Sequence, residues 1–168
     1  MSDATVLAAW VLESFSRDLL ISAGATDQEA EIVADHLVES SLMGHDSHGI
    51  LRLPEYLGFV AEGSIVVGAE ISVDQRSPGL AVVDCGLGFG PVGAVRAIET
   101  AIRMASESGT GCVVTRRCNH VARLGAYVQL AADGGLVALA TCNSPIHGHF
   151  VLPAGGREGR LATNPIAY

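Results

Sequence analysis

Apolar positions in the first sixty residues recur at helical spacing. Leu7, Val11, Phe15 and Leu19 follow at four-residue steps, with Leu12 beside them. This predicts an amphipathic helix that buries that stripe and is stopped by Gly24. Thr26 and Glu29 have the spacing of a capping box, which predicts a second helix carrying Ile32, Val33, Leu37 and Leu42 and ended by Gly44. A third, shorter helix runs through Leu57 and closes near Gly63. From about Ile71 the period changes. Ile71–Val73 and Leu80–Val83, separated by polar residues and Pro78-Gly79, predict a hairpin. A glycine-rich stretch, Gly86 to Gly93, leads into a helix over Ala94 to Ser108 and then a buried strand over Cys112–Thr115. Another helix, Ala122 to Ala132, ends at Gly134-Gly135, and Leu136–Thr141 reads as an apolar strand. Beyond Asn143 the chain is loop-like. The pattern therefore predicts a helical segment over 1–66 followed by an α/β segment over 67–168.

Composition narrows the function classes. With 168 residues, 49% hydrophobic and 17% charged, the chain can build one core and is not a disordered segment. Its ten basic residues are all Arg, so a Schiff-base or P-loop lysine is excluded. Eighteen acidic residues bring the formal charge to −8, which argues against nucleic acid or an anionic membrane as partner. No apolar run approaches the ~20 residues of a membrane span. Asp3 and Glu13 with no basic leader argue against a signal peptide, so the expected location is the cytoplasm. Cys85, Cys112 and Cys142 lie in apolar runs and read as small buried hydrophobes of a reducing compartment.

Three constellations carry candidate chemistry. In Gly44-His45-Asp46-Ser47-His48-Gly49-Ile50-Leu51-Arg52-Leu53-Pro54-Glu55-Tyr56, a helical period places His48, Arg52 and Tyr56 on one face. An arginine there could hold a carboxylate while the imidazole handles a proton. Pro54 argues for a kink, and the plain alternative is a helix cap at Asp46 or Ser47 with a solvated Arg52. Asn119-His120-Val121-Ala122-Arg123-Leu124 follows a strand and opens a helix, where α/β proteins place binding groups and where a helix N-terminus would depress the His120 pKa. Here the alternative is a capping Asn119 and an incidental His120. Gly88-Phe89-Gly90-Pro91-Val92-Gly93 matches G-x-G-x-x-G, with Arg116 and Arg117 placed as a Rossmann unit would place a 2′-phosphate ligand. A metal cluster of His45, His48, His147 and His149 has no supporting spacing, and no metal is expected.

Taken together, the motifs resemble the malate/L-lactate dehydrogenase family of NAD(P)-dependent oxidoreductases. They are Asp46-Ser47-His48-Gly49-Ile50-x-Arg52-Leu53-Pro54-x-Tyr56, then Asn119-His120 with Gly125 and Tyr127, then Thr141-Cys142-Asn143-Ser144-Pro145. Gly155-Gly156-Arg157-Glu158 and Thr163-Asn164-Pro165-Ile166-Ala167 complete the series. The resemblance implies a non-Rossmann α/β fold with a mixed sheet, and hydride transfer between NAD or NADP and a small 2-oxo or 2-hydroxy carboxylic acid. His120 and His48 would be catalytic, with Ser47 supporting His48. Arg52, Tyr56, Thr163 and Asn164 would contact substrate. His120, Val121, Ala122, Arg123, Leu124 and Ser144 would contact the cofactor. A homodimer is implied as well.

Two departures stand out. Ala122 occupies a position where members often have glycine, and 168 residues correspond to the N-terminal half of such an enzyme. The resemblance therefore implies a fragment that needs a C-terminal half. A non-catalytic association module and a Rossmann-type NADP-binding domain on Gly88–Gly93 are the competing expectations.

Overall fold

The computed structural model describes residues 6–143 and 150–168. They divide into two compact units, Met1–Arg123 and Leu124–Tyr168. The change from helix to sheet falls earlier, between residues 61 and 72.

The first unit opens with α1 (Ala9–Ser22) and α2 (Asp27–Leu42). The Thr26–Glu29 capping box is formed: Glu29 N donates to Thr26 Oγ1 at 3.2 Å, and Thr26 N to Glu29 Oε2 at 2.9 Å. Glu29 also accepts from Gly68 N at 2.9 Å, tying the start of α2 to the segment before the sheet. The apolar stripe of α1 is only partly buried. Phe15 is 57% exposed and Leu7 49%, whereas Ser16 and Leu20 are buried. The packed face is turned by about one residue, and Ser16 tolerates it because its hydroxyl donates to Leu12 O. On α2, Ala30, Val33, Ala34 and Leu37 join Leu20, Leu53, Tyr56, Ile65, Phe89 and Ala122 in one core.

Strand β1 (Ser72–Ser77) and β2 (Leu80–Asp84) form the expected hairpin. Helix α4 (Gly90–Ser108) crosses over to β3 (Cys112–Arg116), which pairs parallel with β2. The sheet is thus mixed, in the order β1-β2-β3. Strand β3 is not the buried strand its composition suggests. Val114 is 55% exposed and Cys112 is exposed; β3 is an edge strand among the described residues, with α4 packed against it. Cys85 on the central strand's end is fully buried.

The second unit holds α5 (Gly125–Asp133) and a two-stranded antiparallel ladder of β4 (Ala140–Thr141) and β5 (Ile166–Ala167). The apolar run Leu136–Thr141 gives only the two residues of β4, with Val137 and Leu139 exposed. No helix among the described residues is long and apolar enough to cross a membrane.

Candidate active site

The segment carrying His48 and Arg52 is not one continuous helix. It consists of two 3-10 turns, Asp46–His48 and Ile50–Arg52, followed by α3 (Leu53–Ala61). Gly49 between the turns is extended (φ −95°, ψ −150°), and Pro54 sits in the first turn of α3, where its missing N–H costs nothing. Neither Asp46 nor Ser47 caps a helix through its side chain. The turns are held instead by contact with α2. A Cβ at Gly49 would collide with Ser41 Oγ, and that hydroxyl accepts from Ile50 N at 3.0 Å. The side chains of His48, Arg52 and Tyr56 therefore converge by docking on α2 rather than by helical phase alone.

The partner segment follows β3. Asn119 Nδ2 donates to Leu87 O at 2.7 Å and Gly88 O at 3.0 Å, and lies 3.2 Å from Ser64 O. Asn119 is thus a loop brace rather than a helix cap. The glycines of the G-x-G-x-x-G run serve the same packing. A Cβ at Gly90 would collide with the backbone oxygens of His120 and Asn119. The close approach that a phosphate loop would reserve for a nucleotide is taken by the chain's own backbone. Arg116 and Arg117, expected at a 2′-phosphate, are tied to Asp84, with Nε to carboxylate distances of 2.9 and 2.7 Å. The Arg117 hydrogen bond holds the Asp84 carboxyl below the usual range. These contacts remove support from the Rossmann reading.

His48 and His120 face each other, with ring centroids 5.3 Å apart. Tyr56 Oη lies 2.8 Å from His120 Nδ1 and 3.1 Å from His120 O. One hydroxyl serves both if it accepts from Nδ1–H and donates to the carbonyl, a tautomer assigned from the hydrogen-bond geometry. Tyr56 is 1% exposed, and burial keeps its phenol protonated far above its usual range. Ser47 Oγ lies 2.9 Å from His48 Nδ1. Both imidazoles are thus engaged at Nδ1. Burial, the neighbouring His48 and Arg52 lower the His120 pKa to about 4. His120 keeps an exposed face open to water. The cause is not a helix N-terminus, because α5 begins only at Gly125. His48 is lowered as well, by burial first and then by His45 and Arg52.

Arg52 donates from Nε to Ser47 O at 2.6 Å, and Nη1 lies 2.5 Å from Glu55 Oε2. Beneath the site, His36 of α2 accepts at Nε2 from Arg123 N at 3.1 Å. Burial, then Arg123, lowers the His36 pKa to about 4. Arg123 Nη2 lies 3.0 Å from Glu39 Oε2 without hydrogen-bond alignment, and the buried Nε has no acceptor among the described residues.

The structure thus gathers Ser47, His48, Arg52, Tyr56 and His120, with Val121, Ala122 and Arg123 following in the same unit. Ala122 stands at φ +53°, the left-handed region that favours glycine, and is buried. Leu124 begins the second unit. Thr163 and Asn164 lie in that unit before β5, both exposed. Ser144, His147 and His149 lie outside the described residues. Among the described residues no group of three or more His, Cys, Asp or Glu side chains could hold a metal. Sequence reasoning missed His36 and the pairing of Glu55 with Arg52. His36 shares the buried arc of Val33, Leu37 and Ser40, so a polar residue in an apolar stripe was the available signal.

A mixed-sheet α/β unit thus brings two facing histidines, a buried tyrosine and an arginine together, while its glycine-rich run is filled by the chain's own backbone. The chain belongs to the malate/L-lactate dehydrogenase family, whose sequence model matches residues 7–168. It is 37% identical over 157 residues to the malate dehydrogenase of Pyrococcus horikoshii, covering 93% of this chain and 42% of that protein. It is likewise 37% identical over 150 residues to the L-sulfolactate dehydrogenase of Methanocaldococcus jannaschii, covering 89% and 43%. Among solved structures, the Pyrococcus horikoshii malate dehydrogenase superposes with a TM-score of 0.91 at 34% identity, over 96% of this chain and 46% of that one. The chain therefore spans somewhat under half the length of these relatives.

Proposed function

We propose that this chain forms the proton-transfer and acid-binding part of an oxidoreductase that moves a hydride between NAD or NADP and a small 2-oxo or 2-hydroxy carboxylic acid. The observation that carries the reading is the Tyr56–His120 pair. With Nδ1 engaged by Tyr56, the His120 Nε2 lone pair is the one left for a substrate hydroxyl. A pKa lowered to about 4 leaves the ring neutral near pH 7, ready to accept that proton. A carboxylate on Arg52 would offset one of the positive charges that lower the His120 pKa. In the reductive direction this favours the protonated ring, so His120 can act as the acid.

His48, engaged at Nδ1 by Ser47, borders the same space as a second proton-handling group. Arg52 would hold the substrate carboxylate through its Nη atoms, displacing Glu55 from a solvent-exposed pair worth only ~0–1 kcal/mol. Tyr56 would help to bound the substrate, and the family resemblance assigns Thr163 and Asn164 to it as well.

His120, Val121, Ala122, Arg123 and Leu124, with Ser144, would hold the dinucleotide. The fit is supported by the buried Arg123 Nε, which lacks an acceptor among the described residues and would be met by a ligand oxygen. When bound, the nicotinamide supplies or accepts the hydride. A homodimer belongs to the same reading, supported by the exposed Trp10 and Phe15 of α1.

The test is a fluorescence titration of the 168-residue chain with NADH and NADPH, followed, in an enzyme completed by a C-terminal half, by assays of NAD(P)H oxidation with a panel of 2-oxo acids. Saturable binding and a turnover that falls ~10²–10⁴-fold in His120→Ala are expected. An unchanged rate in that variant would overturn the assignment of His120.

A further inference from the structure

The arginine fork of this site is already partly occupied by a carboxylate of the chain itself. Arg52 spends Nε on Ser47 O, and Nη1 lies 2.5 Å from Glu55 Oε2. Glu55 sits in the first turn of α3, one residue before Tyr56. It therefore stays beside the site even when its carboxylate swings off the guanidinium. The Arg52–Glu55 pair is half-exposed, 34% and 41% at the side chains, so an incoming anion can displace it. The pair has the i,i+3 spacing of ordinary helix-surface ion pairs; what sets it apart is that its arginine is the one facing the two histidines.

His36 and His120 are neutral near pH 7, and His48 is shifted the same way. The charged side chains that act on His120 are Arg52 and Glu55, beside His48. The other nearby guanidinium, Arg123, is buried against Glu39. The described site is therefore close to neutral before an acid arrives. One carboxylate takes the place of Glu55 on Arg52 and leaves a single excess negative charge. A second carboxylate finds no further free cation among these groups and meets Glu55 at close range.

We propose that Glu55 is a specificity-determining residue that selects monoanionic over dianionic 2-oxo acids. The inference rests on the proposed function in one respect: Arg52 must be the carboxylate site. Monoanionic acids with uncharged side chains fit such a site. Dicarboxylates are disfavoured by the unneutralised second charge.

Oxamate and oxalate test this directly, since they are nearly the same size and differ by one charge. Each is titrated into the full 168-residue chain while the His48 and His120 imidazole resonances are followed by NMR. The unmodified chain is expected to bind oxamate at least tenfold more tightly than oxalate. Glu55→Gln should narrow that ratio at least fivefold, mainly by tightening oxalate. Glu55→Asp, which keeps the charge, should retain the preference. Equal binding of the two anions by the unmodified chain overturns the proposal, and so does a ratio that Glu55→Gln leaves unchanged. If both anions bind, and binding is lost in Arg52→Ala while the ratio ignores Glu55, the acid-binding reading stands and only this inference falls. If neither anion moves either imidazole in any of the proteins, Arg52 is not a carboxylate site and both fall.

Discussion

Replacing Tyr56 with Phe removes one oxygen from the centre of the site and leaves the packing of the ring in place. That oxygen lies 2.8 Å from His120 Nδ1 and 3.1 Å from His120 O, and the residue is 1% exposed. Two net hydrogen bonds at about 1 kcal/mol each are lost. An unmet polar group could add more, but His120 keeps an exposed face through which water can reach it. The loss is therefore about 2 kcal/mol, which for a chain of this size lowers Tm by roughly 4–8 °C. The sharper readout is chemical. With Nδ1 no longer engaged, the Nε2–H tautomer becomes competitive, and nitrogen NMR of the His120 ring should change from one tautomer to a mixture. In an active assembly the rate should fall, because Nε2 would then often carry the proton that the proposed role of His120 requires it to accept. A Tyr56→Phe protein with unchanged Tm and an unchanged His120 tautomer would refute the assignment of the Tyr56 hydroxyl as the group that orients His120.

Two further outcomes test the support beneath the site. His36 is buried, with a pKa lowered from 6.5 to about 4. A lowered histidine pKa means the unfolded chain takes up the proton first, so stability is full above about pH 6.5 and is lost as the pH falls toward 4. The loss attributable to His36 is about 3 kcal/mol across that window, at ~1.4 kcal/mol per pH unit. Urea unfolding at several pH values checks this, and His36→Gln, which can still accept from Arg123 N, should flatten the dependence. Ala122 stands at φ +53° and is buried. Ala122→Gly should be near neutral, since relief of about 1 kcal/mol of backbone strain offsets a lost methyl of similar worth. Ala122→Val should cost about 2 kcal/mol or more, because a β-branched side chain fits neither that backbone nor that space. Equal urea midpoints for Ala122→Val and the unmodified chain would refute the strain argument.

What the sequence determined by itself is local. The capping box of Thr26 and Glu29, the helix–sheet change and the β1–β2 hairpin depend on residues a few positions apart, and their periods and turn residues are written in the chain. The motif around Ser47, His48, Arg52 and Tyr56 was legible as chemistry and as a family resemblance, and the family match agrees with it. The geometry of that chemistry was not. His120 Nδ1 is engaged by Tyr56 from 64 positions away, and His36 reaches Arg123 across 87. Pairings at such separations depend on how α2, α3 and the loop after β3 pack, and no local propensity encodes them.

The same limit explains the misreadings. Gly88–Gly93 has the spacing of a phosphate loop, but packing against the Asn119-His120 backbone fills the space at Gly90. The strand composition of Cys112–Arg116 signals burial, but the neighbours in the sheet decide it, and β3 has one on a single side. The 3-10 turns that replace a helix over 46–52 follow from Gly49 meeting Ser41 on α2. Residue types set which groups could do acid–base work; only the tertiary contacts decided which nitrogen is left to do it, and which carboxylate stands on the arginine beside it.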